Sequence, residues 1–123
     1  MRVVVVAQEP GAGSSVTVKG QLGDFTAIWR GEETLALGEV DVELSLAGHL
    51  RLTLLSSSEP IGVRPDGTVI AIVEHVGEDG VIGARIASDG ILLIGPPENA
   101  PKLNAGSRIA VQADAVEVYP TNL

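Results

Sequence analysis

Thr68-Val69-Ile70-Ala71-Ile72-Val73-Glu74-His75-Val76, Val81-Ile82-Gly83-Ala84-Arg85-Ile86-Ala87 and Ile91-Leu92-Leu93-Ile94 are three runs rich in branched side chains. They are separated and preceded by the triplets Pro65-Asp66-Gly67, Glu78-Asp79-Gly80 and Ser88-Asp89-Gly90. An Asp side chain can fold back on the backbone two residues later, and glycine accepts the left-handed conformation, so each triplet predicts a tight reversal. Short β-rich runs between such reversals predict an antiparallel meander. The segments Val69–Val73 and Ile91–Ile94 are apolar on both faces, which a sheet with one wet face does not tolerate. They call for a second layer or a second subunit to cover them.

Working upstream, Val40, Val42, Leu44 and Leu46 alternate with Glu39, Asp41, Glu43 and Ser45, the period of a strand with one solvated face. Leu50, Leu52 and Leu54 resume the apolar spacing after Ala47-Gly48-His49. This predicts a hairpin with Leu46 opposite Leu50, Leu44 opposite Leu52 and Arg51 diagonal to Glu43. Phe25, Ala27 and Trp29 share a face of another strand, and residues 2–7 and 16–20 supply two more. The run Ser56-Ser57-Ser58-Glu59-Pro60 interrupts the pattern. Downstream, Pro96–Pro101 reads as a stiff loop, and strands at 108–113 and 116–119 are separated by a bend or bulge near Asp114-Ala115.

These elements predict an all-β fold, a single small barrel or compact sandwich of about eight mostly antiparallel strands. The 123 residues match one domain, 1–123, with halves 1–58 and 61–123 inside one core. The 45% apolar content is almost entirely Val, Leu, Ile and Ala, so small branched side chains must fill that core, which favours strands over helices.

Composition also removes function classes. Without cysteine there is no disulfide, no thiolate metal site and no thiol nucleophile. The net charge of −8 is spread evenly along the chain and repels phosphate backbones and acidic lipid, so neither nucleic acid nor membrane is an expected partner. Stacking aromatics in a basic groove, which single-strand binding requires, are missing as well. The apolar stretch at residues 3–7 is too short for a signal core or a bilayer span, and a cytoplasmic protein is expected.

From Gly67 onward the order of features resembles the TOBE-type modules of bacterial transport ATPases. The likeness, over residues 67–120, rests on Gly67-Thr68-Val69, Asp79-Gly80-Val81, Ile91-Leu92-Leu93, Leu103 with Ala105-Gly106-Ser107-Arg108, and Val116-Glu117-Val118-Tyr119-Pro120. It implies a small barrel of the oligonucleotide/oligosaccharide-binding (OB) class. In that family some modules bind oxyanions, which makes a small anionic ligand one expectation here. No ligand motif of the family maps onto these residues, and no ATPase domain accompanies them.

Candidate sites are few. Gly11-Ala12-Gly13 follows a strand, yet Val16 occupies the third glycine position, no lysine follows, and a strand rather than a helix comes next, so no phosphate cradle is expected. His49 and His75 lack metal-ligand spacing, and Ser56, Ser57 and Ser58 lie in no strained nucleophile elbow. The expectation is a protein that is not an enzyme and needs no cofactor or metal. It would be a binding or assembly module contacting another protein or a second copy of itself. Trp29 and Arg30 are the expected hot-spot pair, with core packing the competing role for Trp29. The carboxylate ladder Glu39, Asp41 and Glu43 would dock a basic partner, as in an acidic inhibitor or immunity-type protein.

Overall fold

The computed structural model describes residues 1–8, 14–31, 37–56, 58–97 and 102–121. Among these, eleven strands and no helix occur: β1 (Arg2–Gln8), β2 (Ser15–Lys19), β3 (Phe25–Trp29), β4 (Gly38–Ala47), β5 (Arg51–Leu55), β6 (Gly62–Val63), β7 (Val69–Val76), β8 (Ile82–Ala87), β9 (Gly90–Ile94), β10 (Arg108–Gln112) and β11 (Ala115–Pro120). Five of them close a barrel in the order β1-β2-β3-β11-β4, and β4 returns to β1. Every pairing in it is antiparallel except β3 with β11. The remaining strands form a second sheet, β5-β10-β7-β8-β9, with β6 added beside β7. The all-β small-barrel expectation therefore holds, with eleven strands in place of about eight.

The barrel lies elsewhere than the likeness at residues 67–120 implied. It is built from β1 to β4 and completed by β11 alone, while β7, β8, β9 and β10 belong to the open sheet. Nor do the sheets divide at Ser56–Pro60, because β5 joins the second sheet and β11 the barrel. Alternating side chains from both sheets, among them Val5, Val16, Trp29 and Val42 from the barrel and Val69, Ala84, Leu92 and Ile109 from the sheet, meet in one continuous core.

The expected hairpin between residues 39–46 and 50–54 does not form. β4 pairs with β11, Ala47 facing Ala115, and β5 pairs with β10, Arg51 facing Gln112. The segments 38–55 and 108–120 run as one long antiparallel ribbon that bends at 48–50 and 113–114 and so passes from barrel to sheet. Gly48 makes this bend with a φ of +81°. Across it the Asp114 amide donates to the Ala47 carbonyl at 3.0 Å, and the His49 amide donates to Asp114 Oδ2 at 2.9 Å. The bend expected near Asp114-Ala115 is thus present, but it matches a bend at Gly48 where a hairpin was expected. Arg51, carried into the other sheet, is not diagonal to Glu43.

The meander β7-β8-β9 forms as its turns predict. The Thr68 amide donates to Asp66 Oδ1 at 2.9 Å and the Val81 amide to Asp79 Oδ1 at 3.0 Å. The two doubly apolar strands differ in their surroundings. In β7, Val69, Ala71 and Val73 enter the common core, while Ile70 is buried on the other face, beside Pro60, Ile61 and Pro65. Of the four large side chains of β9, Leu92 and Ile94 are buried. Ile91 and Leu93 stay exposed.

Candidate functional site

β9 is the last strand of its sheet and, among the described residues, is hydrogen-bonded only to β8. Its alternation turns Leu92 and Ile94 inward and leaves Ile91 48% and Leu93 70% exposed on the outer face. Across the sheet, Leu93 faces Gly83 of β8, which faces His75 of β7. Gly83 contributes no side chain, so this row has a gap at its centre. A Cβ there would come no nearer than 3.9 Å to the His75 carbonyl and 4.0 Å to Leu93 Cδ2. The next row pairs Ile91 with Arg85.

The result is a shallow hollow of about 790 Å³ whose lining includes Glu74, His75, Glu78, Gly83, Ile91 and Leu93. A second depression, about 380 Å³, lies between β9 and barrel strand β4, with Glu43, Leu44, Ser45, Ile91 and Leu93 on its walls. Ile91 and Leu93 line both, so the two side chains form an apolar ridge with a trough on either side. Each trough carries carboxylates: Glu74, Glu78 and Asp79 in one, Glu43 and Asp89 in the other.

Some of this charge is answered locally. Arg85 pairs with Glu74 at 2.6 Å, Asp79 Oδ1 accepts the Val81 amide, and Asp89 Oδ2 accepts the Arg2 amide at 3.2 Å. Glu43 and Glu78 have no ion-pair partner among the described residues. Within the acidic ladder, Arg2 reaches Asp41 at 3.3 Å and Glu39 at 3.6 Å. Such exposed pairs contribute only about 0.2–1 kcal/mol each, but they reduce the free charge of the ladder to Glu43.

Trp29 and Arg30 form no exposed hot spot. Trp29 is 3% exposed and belongs to the core, because β3 turns Phe25, Ala27 and Trp29 into a barrel whose other inward side chains are mostly valines. Arg30 is held through its Nε by Glu117, a buried carboxylate on β11 that the Tyr119 hydroxyl also approaches, at 3.4 Å. This pair ties the end of β3 to the middle of the parallel strand β11. It was not foreseen, since Val-Glu-Val-Tyr reads as a strand with a solvated glutamate.

The histidines stay apart in the topology. His49 sits at the ribbon bend with Nδ1 3.2 Å from Asp114 Oδ2, and His75 lies on β7 in the hollow. The Asp114 carboxyl is held below its ordinary value, chiefly by the His49 amide and then by the His49 ring. Among the described residues no group of three or more His, Asp or Glu could hold a metal ion. No described helix is long and apolar enough to cross a membrane. The Gly11–Gly13 turn and Ser57 lie outside the described residues. No protein-family model, curated protein or solved structure matches this chain.

The sequence signal for the site was the run Ile91-Leu92-Leu93-Ile94, whose double apolarity demanded cover. Gly83 and Glu78 had no such signal, because only the register of β7, β8 and β9 brings them to the same face.

Proposed function

We propose that this protein is a binding module that acts through protein contact at the outer face of β7, β8 and β9, with no chemistry of its own. The single observation that carries this reading is the Ile91–Leu93 ridge, two large apolar side chains exposed together on the last strand of a sheet. Scattered exposed apolar residues are ordinary, but neighbouring ones rimmed by polar groups mark contact surfaces. Val6, Leu37, Leu54 and Val76 are exposed as well, but Ile91 and Leu93 stand together on one face of a single strand. The carboxylates around both troughs do not suit an oxyanion, which sets the small-anion alternative behind protein contact.

A photo-crosslinking residue at position 93, compared with one at exposed Thr53 on β5, tests the reading in extract of the source cells. A discrete adduct is expected from position 93 and none from position 53. Identical patterns at the two positions, or no adduct at 93, would refute it.

A further inference from the structure

Resting on that reading, the geometry points to the class of partner: we infer that the ridge and its two acidic troughs receive a basic amphipathic helix of another protein, apolar side chains on Ile91 and Leu93 and Lys or Arg beside the carboxylates. Three observations lead there. The first is the order of chemistry across the surface, Glu74 and Glu78, then the Ile91–Leu93 ridge, then Glu43. An apolar stripe with acid on both sides complements an apolar stripe with base on both sides.

The second is the state of the β9 edge. An added strand would need about 4.7–4.9 Å on each side of it, close to 10 Å in all. The Cα atoms of β4 and β9 already come within 8 Å without a backbone ladder. Addition of a strand in the plane of the sheet is therefore blocked, and a partner must lie on the face. There, the row from β9 to β7 spans two strand spacings, about 10 Å, with Gly83 as its open floor. A helix with its side chains is about 10–12 Å across.

The third is charge. A second copy of this chain would bring Glu43 and Glu78 against their own counterparts, whereas a cationic helix would neutralise them. An acidic peptide is disfavoured for the same reason.

The test uses the full chain and two fluorescein-labelled 14-residue probes. In one, leucines recur every three to four residues and lysines fill the rest; in the other, glutamates replace the lysines. Anisotropy titrations at 20 and 200 mM salt should show micromolar binding of the lysine probe, weakened at least tenfold at the higher salt, and no binding of the glutamate probe. The variant I91S/L93S leaves the net charge at −8 and should lose at least tenfold in affinity. E43Q/E78Q should lose most of the salt dependence. Circular dichroism and melting curves confirm that both variants fold.

Unchanged affinity in I91S/L93S would overturn the inference, leaving only diffuse attraction to an acidic protein. Equal binding of both probes would also overturn it, while leaving protein contact at the ridge intact. Failure of the lysine probe overturns the inference too. If sedimentation then shows a dimer that L93S dissociates, the ridge is covered by a second copy and the protein-contact reading survives; if crosslinking at position 93 is also silent, both fall.

Discussion

Gly48→Ala probes the bend that carries the β4/β5 and β10/β11 ribbon from barrel to sheet. The substitution acts in two ways. With φ at +81°, Gly48 is in a conformation that costs an L-residue about 1–2 kcal/mol. For a chain of 123 residues, an unfolding entropy of about 2.1 cal/mol/K per residue turns that cost into a Tm loss of about 4–8 °C. In addition, a Cβ at position 48 would lie closer than 3.0 Å to the Asp114 side chain. Asp114 must then swing aside and release the His49 amide and ring. The total loss for Gly48→Ala should therefore exceed the backbone cost alone. In an Asp114→Gly background, which removes the Cβ together with the carboxylate, the collision is gone, and the same change should cost only the backbone part. Urea unfolding of the wild type, both single variants and the double variant gives the cycle. Independent sites add to within about 0.3–0.5 kcal/mol, so a coupling no larger than that would refute the account of the bend.

A second close crossing joins the sheets where the Val63 amide donates to the Leu22 carbonyl at 2.5 Å. Gly23 and Gly62 both have positive φ, and a Cβ on either would strike the other segment's backbone carbonyl. Alanine at either position should cost at least about 2 kcal/mol in urea unfolding, and a variant as stable as wild type would contradict the crossing. Fully buried Ile109 on β10 should lose about 2–5 kcal/mol as Ile109→Ala, whereas exposed Leu93→Ser should stay within about 0.5 kcal/mol of wild type. Comparable losses in the two would deny that the Leu93 side chain is free of the fold. Asp66 and Asp114 are both held below the ordinary 3.8, foremost by the amides of Thr68 and His49. A lowered carboxylate stabilises the fold above its unfolded value and loses that contribution as pH falls through the folded one. Stability measured from about pH 5 down to pH 2 should thus decline less steeply in D66N/D114N than in wild type. An unchanged acid limb would remove both carboxylates from the account.

Local chemistry alone determined the strands and their turns. Runs of branched residues between turn signals placed strands at 68–76, 81–87, 91–94 and 108–113, and Asp-Gly triplets placed the reversals at 66–67 and 79–80, because both signals act between residues a few positions apart. Period-two alternation marked Val42 as inward-facing, and its absence flagged Ile91–Ile94 as a strand short of cover. Which strand lies beside which was decided only by the tertiary structure. Leu46 and Leu50 matched one another as well as hairpin partners would, yet Leu46 lies opposite Val116 of β11, and the strand that follows Leu50 pairs with β10, where the bends at Gly48 and Asp114 coincide. Long-range registry of that kind leaves no mark in a single segment, since the energy that selects it comes from the shared core. The candidate site divides along the same line. The apolarity of Ile91 and Leu93 was legible in the chain, but their exposure, the gap at Gly83 and the carboxylates on either side arise only when three strands and the barrel wall come together.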